Sequence, residues 1–336
     1  MFKNSSLPAT SANGMVPTKA FLRPIIIRMH VPVIDFARYD EDQPETLETL
    51  GGEVDAALSK IGFMSVMNLG IDSKLLNDVF AASRGFFGSD LAQKMESAYL
   101  SASENFGYQG MCEEHLDPSK PADLKETFTM RNVVNHAPDD SRWPSPEFRD
   151  LMRTFFQACL DSAYRMQRVL SQALGLEPEF FVKYHNGENC TLRLLYYPAT
   201  GVNEIQDSQL GAGAHTDYGL LTLLFQDDVG GLEVLDMNNQ WQPVDYIESG
   251  IVINSGDMLE RWTNGRYRST LHRVKPKIGH RERFSIAMFV DPDSATPVTV
   301  LDSCISDDQP AQYGPITAGE HLQERIRASH VDKFEP

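Results

Sequence analysis

Residues 211–219 read GAGAHTDYG, and 55 positions past Asp217 (272 − 217) stands His272, within STLHRV. On an extended strand residues i and i+2 project to the same face. His215 and Asp217 would then present an imidazole nitrogen and a carboxylate oxygen side by side, and His272 must arrive on a second strand folded alongside. Two imidazoles and one carboxylate on one side of an ion form the facial triad that suits non-haem Fe(II) and leaves the other coordination positions open. The H-x-D…H pattern alone is a weak signal, because short H-x-D matches arise by chance and the same donors hold zinc.

The surroundings of this stretch have a strand period. TLRLLYYP, LLTLLFQ, GLEVLD, WQPVDY, GIVINSGD, YRSTLHRV and RFSIAMFV are short apolar runs. They are parted by Gly230–Gly231, Asn238–Asn239, Ser255–Gly256, Asn264–Gly265 and Ile278–Gly279. Such runs with turn residues between them are the pattern of an all-β sandwich or barrel. Alternation tests the metal reading. In RFSIAMFV, Arg283, Ser285, Ala287 and Phe289 share one face, and Phe284, Ile286, Met288 and Val290 the other. A guanidinium and a hydroxyl two apart on one face suit an interior that grips a carboxylate, where Arg offers a fork of donors and Ser one more. A lone surface ion pair is the plainer account of Arg283, and its spacing from His272 favours the interior one. In TLRLLYYP the matching face carries Thr191, Arg193, Leu195 and Tyr197. Tyr197 could donate to the same carboxylate. Arg193 would need a buried partner, since an unpaired charge is costly away from water.

Upstream, VPVIDFARY (31–39) reads as a short strand, 45–60 as a helix, 61–71 as a buried strand and 73–87 as a helix. Residues 100–146, with Gly107, Gly110, Pro118, Pro121, Pro144 and Pro146, read as a long loop that could serve as a lid or binding segment. Residues 147–175 form the longest helical pattern, whose aromatic stripe reads as core. ITAGEHLQERIRASH closes the chain as a helix. The expected organisation is mainly β with flanking helices. It has an arm over 1–29, an N-terminal region over 30–150 and a catalytic β region with its helices over 151–336, all in one compact unit.

Composition excludes some classes. With 336 residues and 41% hydrophobic content the chain can bury a substantial core. A net charge of −17 and the lack of any Lys/Arg run argue against nucleic acid as a partner. No apolar run has membrane-spanning length, and FLRPIIIRM is short and broken by Arg23, Pro24 and Arg28. The first thirty residues hold Lys3, Lys19, Arg23 and Arg28 and no acidic residue before Asp35. They read as a disordered arm or as an organelle-targeting segment, with Met29 an internal start for the folded part. The four cysteines show no metal-type spacing and read as free thiols in a reducing compartment, the cytoplasm unless the arm redirects the chain. His30, His115, His136, His185, His280, His321 and His330 lack a carboxylate at strand spacing and read as surface or satisfied histidines.

H-x-D, then H, then R-x-S at these intervals is a strong combination. From about Val31 to His330 the sequence resembles the isopenicillin N synthase-like class of Fe(II)/2-oxoglutarate-dependent dioxygenases. VPVIDF, IGFMSVMNLGI and DLKETF are similar to that family's N-terminal region, and YGPITAGEHL to its closing helix. LRLLYYP, GAHTDYGLLTLLFQDDVGGLEV, INSGDMLERWTNGRYRSTLHRV and RFSIAMFVDP are similar to its double-stranded β-helix, a jelly-roll or cupin-like core. The wording of LRLLYYPA and HTDYGLLTLLFQD is nearest to the thymine 7-hydroxylase-like branch.

The resemblance implies that His215, Asp217 and His272 ligate iron, and that Arg283 and Ser285, assisted by Tyr197, bind the distal carboxylate of 2-oxoglutarate. It also implies that Arg193, Tyr218 and Phe289 face the substrate or co-substrate. Two positions depart from the family pattern: Asn68-Leu69-Gly70 stands for N-H-G, and Leu195-Tyr196-Tyr197 for N-x-Y, so an amide near the metal is missing there. Retention of Asp217 speaks against the halogenating variant. The implied activity is oxidation of a C–H bond of a small-molecule metabolite, by default hydroxylation, with desaturation or oxidative cyclisation as other outcomes. Fe(II), 2-oxoglutarate and O2 are the implied cofactors, ascorbate an accessory reductant, and a monomer the expected state. An Fe(II) oxidase of the same fold that does not use 2-oxoglutarate is one rival. A catalytically silent ligand-binding barrel is the other.

Overall fold

The computed structural model describes residues 30–135, 138–201, 205–276, 279 and 281–329. The arm expected over 1–29, and His136, His280 and His330, lie outside them. In chain order the elements begin with β1 (Val33–Asp35), α1 (Pro44–Lys60), β2 (Phe63–Met67), α2 (Ser73–Phe87), α3 (Leu91–Met95), β3 (Phe106–Gln109), β4 (Glu126–Arg131) and α4 (Pro146–Ala173). They continue with β5 (Thr191–Tyr197), β6 (Ala212–His215), β7 (Leu221–Gln226), β8 (Leu232–Leu235), β9 (Trp241–Pro243) and β10 (Ile251–Ser255). After α5 (Asp257–Trp262) come β11 (His272–Val274), β12 (Arg283–Val290), β13 (Pro297–Val298), β14 (Ile316–Thr317) and α6 (Ala318–Ser329). The helix starts follow local chemistry. Ser145 caps α4 by accepting from the Phe148 N–H with Pro146 in the first turn, and Asp72 caps α2 through the Leu75 N–H.

Eight strands form a large sheet in the order β1-β2-β10-β7-β12-β5-β4-β3, and four form a smaller one in the order β6-β11-β8-β9. The pleat of the large sheet separates two cores. Phe284, Ile286, Met288 and Val290 of β12 join one apolar cluster with the buried faces of α1, α2 and α4. Ala287 joins another, with Leu195 and Tyr197 of β5, Val252 of β10 and Phe63 of β2 from the large sheet. Ala212, Leu232, Val234 and Val274 of the small sheet complete it. Two sheets thus face each other across a common interior, with helices on the outer face of the larger: the double-stranded β-helix. Among the described residues no helix is long and apolar enough to cross a membrane. All four cysteines, Cys112, Cys159, Cys190 and Cys304, are free.

Two expectations are corrected, and one helix has no counterpart in the sequence reading. The supposed loop over 100–146 contains β3 and β4, which extend the large sheet beyond β5. Thr127 and Thr129 of β4 pair with Leu195 and Arg193, while Phe128 and Met130 join the helix-side core; the flanking glycines and prolines hid this alternation. DMLERW forms α5, a helix of six residues, too short for periodicity to declare. The strand bearing His215 ends at that residue, so Asp217 lies in the turn beyond it, not on the strand.

His185 and His321 are buried, and each leaves Nε2 without a hydrogen-bond partner, so neither is the surface or fully satisfied histidine expected. Burial pushes the His185 imidazolium down to about 4, only partly opposed by the Phe181 carbonyl at 2.8 Å from its Nδ1. The folded chain therefore resists protonating a group that the unfolded chain protonates near the ordinary 6.5. This contribution is complete above about pH 6.5 and is lost as pH falls towards about 4. Urea midpoints measured across that window should fall less steeply for His185→Gln than for the native protein.

Candidate metal centre

β6 and β11 are antiparallel neighbours with His215 directly opposite His272, so the two imidazoles project to one face with ring centroids 4.3 Å apart. Nδ1 of His215 lies 2.8 Å from the Gly213 carbonyl, and Nδ1 of His272 lies 3.1 Å from the Thr270 carbonyl. A carbonyl only accepts, so each Nδ1 carries the proton and each Nε2 keeps its lone pair for the centre. Oδ1 of Asp217 is 3.9 Å from one Nε2 and 3.8 Å from the other. Its other oxygen, Oδ2, accepts from the Thr222 hydroxyl at 2.6 Å and the Asn254 amide at 2.7 Å. Each of the three side chains thus has one polar atom fixed by the protein and one left free. The three free atoms lie within 4.8 Å of one another, a set that can hold a metal ion.

Electrostatics favour the ligating protonation states. Burial, and then the neighbouring His272, depress His215 to about 3, against the attraction of Asp217. Burial alone would raise the Asp217 carboxyl, but the two histidines and the Asn254 and Thr222 hydrogen bonds hold it below the usual range. A neutral imidazole and an ionised carboxylate are what a divalent cation requires. The Phe63 ring meets His272 edge-on at 5.4 Å and covers it from β2.

The turn that carries Asp217 is held from the side of α5. The Asp257 N–H donates to the Asp217 carbonyl at 2.8 Å, and the Met258 N–H to the Gly219 carbonyl at 3.1 Å. Such closeness requires glycines. A β-carbon on Gly256 would stand 2.4 Å from the Gly219 carbonyl oxygen and 3.0 Å from that of Asp217, both backbone atoms. One on Gly219 would meet the Asp291 carboxylate at 1.5 Å. Gly256→Ala must therefore push the Asp217 turn off α5. A loss of about 3 kcal/mol in denaturant unfolding is expected, the upper end for overpacking, together with weaker metal binding.

Arg283 of β12 is 1% exposed. Its Nη1 donates to Ser285 Oγ at 3.1 Å, its Nη2 approaches Gln226 Oε1 at 3.4 Å, and its guanidinium lies 4.7 Å above the Tyr197 ring. No carboxylate of the described residues pairs with it, and Nε of Arg283 and Nε2 of Gln226 both lack hydrogen-bond partners. A buried charge with spare donors around it calls for an anionic guest.

Arg193 has a partner that sequence reasoning did not foresee. Its Nη1 lies 3.1 Å from Glu114 of the segment before β4, its Nε donates to Thr129, and its guanidinium lies 6.0 Å from the Phe289 ring centroid. Glu114 also pairs with Lys125 at 3.0 Å, and Lys125 with Asp123 at 2.8 Å. Asp123 accepts the Gly213 N–H on the His215 strand at 2.9 Å. Burial would raise the Glu114 carboxyl, yet Arg193 and Lys125 hold it down at about 2. Of the residues expected at the substrate, Arg193 and Phe289 come together, whereas the Tyr218 ring lies under the guanidinium of Arg325 on α6. Thr222, Asn254, Gln226, Glu114 and Lys125 were all missed. Thr222 and Asn254 left one signal, a polar residue next to apolar ones in the strands LTLLFQ and IVINS.

Comparison with known proteins agrees with this arrangement. The 2OG-Fe(II) oxygenase superfamily model matches residues 188–292, and that of the non-haem dioxygenase in morphine synthesis N-terminal region matches residues 31–150. A 2-oxoglutarate-Fe(II) type oxidoreductase of Emericella nidulans is 30% identical, over 90% of this chain and 90% of its own. A proline hydroxylase of Petromyces alliaceus is also 30% identical, over 89% of this chain and 99% of its own. The crystal structure of Neurospora crassa thymine 7-hydroxylase in complex with α-ketoglutarate and thymine superposes with a TM-score of 0.79 at 30% identity. It covers 89% of this chain and 97% of that one.

Proposed function

The chain belongs to the 2OG-Fe(II) oxygenase superfamily, an oxidoreductase family that uses Fe(II), 2-oxoglutarate and O2, and on that premise we propose that it oxidises a C–H bond of a small-molecule metabolite. The default outcome is hydroxylation, with release of succinate and CO2. Bound Fe(II), with the keto acid and dioxygen, supplies the oxidising power. The residues supply position. His215 and His272 offer Nε2 and Asp217 offers Oδ1, while the Gly213 and Thr270 carbonyls, Thr222 and Asn254 keep those three atoms aimed. Arg283, with Ser285 and Tyr197, receives the distal carboxylate of 2-oxoglutarate. Arg193 and Phe289 face the substrate, and Tyr218, held under Arg325, lies apart from them.

The observation that carries this reading is Arg283, a buried guanidinium with no carboxylate of its own among the described residues. It favours a carboxylate guest beside the metal over an empty barrel, and succinate release tells the keto acid from a substrate carboxylate of the rival oxidase. Purified protein supplied with Fe(II), 2-oxoglutarate, ascorbate and O2 should release succinate slowly alone and faster with its substrate. A screen would begin with thymine and proline, the molecules named for the relatives. Substrate oxidation with no succinate formed would favour the oxidase that does without 2-oxoglutarate. A protein that takes up no Fe(II) would be the silent barrel.

A further inference from the structure

α6 meets the turn that carries Asp217 with two side chains, His321, which faces the Tyr218 backbone, and Arg325, which makes the wider set of contacts. Arg325 donates from Nη2 to the Thr216 hydroxyl at 3.0 Å. Its Nε lies 2.8 Å from the Asp257 carboxylate, and its guanidinium lies 4.9 Å from the Tyr218 ring centroid. Thr216 and Tyr218 are the two residues that flank Asp217, and Asp257 is the residue whose N–H holds the Asp217 carbonyl. One guanidinium thus touches both neighbours of the carboxylate and the residue that anchors its backbone. None of these contacts reaches the three donor atoms themselves.

We infer that Arg325 is a positioning residue for the metal centre: it fixes the peptide 216–218, so that Asp217 Oδ1 stands where the two imidazoles converge. The requirement is geometric. β6 ends at His215, so no strand ladder orients Asp217. Its side chain is steered by Thr222 and Asn254, and the backbone from Asp217 to Gly219 by the N–H groups of α5, while the Thr216 side of the turn is gripped by Arg325. Arg suits the task because its planar fork can bond a hydroxyl, pair with a carboxylate and stack on a ring at once, which a lysine cannot. Partners at one remove from a metal typically set its affinity by about 10–100-fold.

The inference rests on the triad being a metal site, and the test separates the two. Co(II) is titrated into the full-length native protein, Arg325→Ala and Thr216→Val, and its visible absorption is followed, with thermal unfolding of each metal-free protein alongside. Both variants should bind Co(II) about tenfold or more weakly, with an altered band shape and metal-free unfolding temperatures near that of the native protein. Arg325→Lys should recover only part of the loss. The double variant should be no worse than Arg325→Ala alone, since both remove the same contact. Should Arg325→Ala fail to fold, Thr216→Val carries the test, because it removes only the acceptor. Native-like affinity and spectrum in Thr216→Val would overturn the inference while leaving the metal site intact. A native protein that takes up no Co(II) would overturn both.

Discussion

His272→Ala or His215→Ala is expected to reduce substrate-dependent succinate formation to background, a fall of at least ~10³-fold, while the protein still folds. Partners one step removed from a metal cost about 10–100-fold, and losing a donor itself must exceed that. Each histidine gives one of three free atoms, and no other His, Cys, Asp or Glu of the described residues joins the cluster to replace it. Folding should survive because neither ring is an anchor of the apolar cores. His272 stands at the rim of the inner cluster against Phe63, and both Nδ1 atoms bond only to carbonyls of their own segments. The measurement pairs succinate release with circular dichroism and metal content. Consumption of 2-oxoglutarate at the native rate in both variants would remove the triad from the chemistry.

The second large effect is at Arg283. Truncating one partner of a buried charge pair costs about 2–5 kcal/mol, so Arg283→Ala should raise the 2-oxoglutarate concentration needed for half-maximal rate by roughly 30-fold or more. The saturated rate should change far less, since in the proposed role the guanidinium holds the far end of the co-substrate and is not one of the metal donors. An unchanged requirement would refute the carboxylate assignment. A companion result has the opposite sign. Without an anion the native protein buries a charge that no carboxylate of the described residues matches, so Arg283→Met should stabilise the ligand-free protein by about 1 kcal/mol or more, as apolar replacements of buried charges often do. Thermal unfolding with and without 2-oxoglutarate reads both effects: the co-substrate should raise the melting temperature of the native protein and leave that of Arg283→Met in place.

What the sequence reveals here depends on how each residue is placed. RFSIAMFV and TLRLLYYP expose the interior wall, because a strand has a period of two and a charged residue on one face stands out. The triad shows through because H-x-D, His272 and R-x-S recur at telling intervals, even though Asp217 stands beyond the strand on which the alternation places it. β3 and β4 stay hidden among Gly and Pro residues that signal loops, and their role comes from β4 pairing with β5 across sixty or more positions while β3 pairs with β4. Glu114 and Lys125 are ordinary charged residues in a segment that reads as solvated, and only the fold turns them inward. The amide missing from β5, where Leu195 stands, has a counterpart from another direction: Asn254 of β10 bonds Asp217. A polar letter at the end of an apolar run was the whole trace it left.

The chain of charges from Arg193 to Asp123 has a consequence for how this protein can vary. Two cations and two carboxylates, drawn from β5, the segment before β4 and its junction with that strand, alternate in sign and end on the backbone that carries His215. Neutralising any one of them strands a buried neighbour of opposite sign, the costly way to break such a pair. Removing adjacent members together leaves the alternation whole. Descendants or redesigns of this protein should therefore alter these four positions in matched steps, so that Arg193 is tied in its history to Glu114, Lys125 and Asp123.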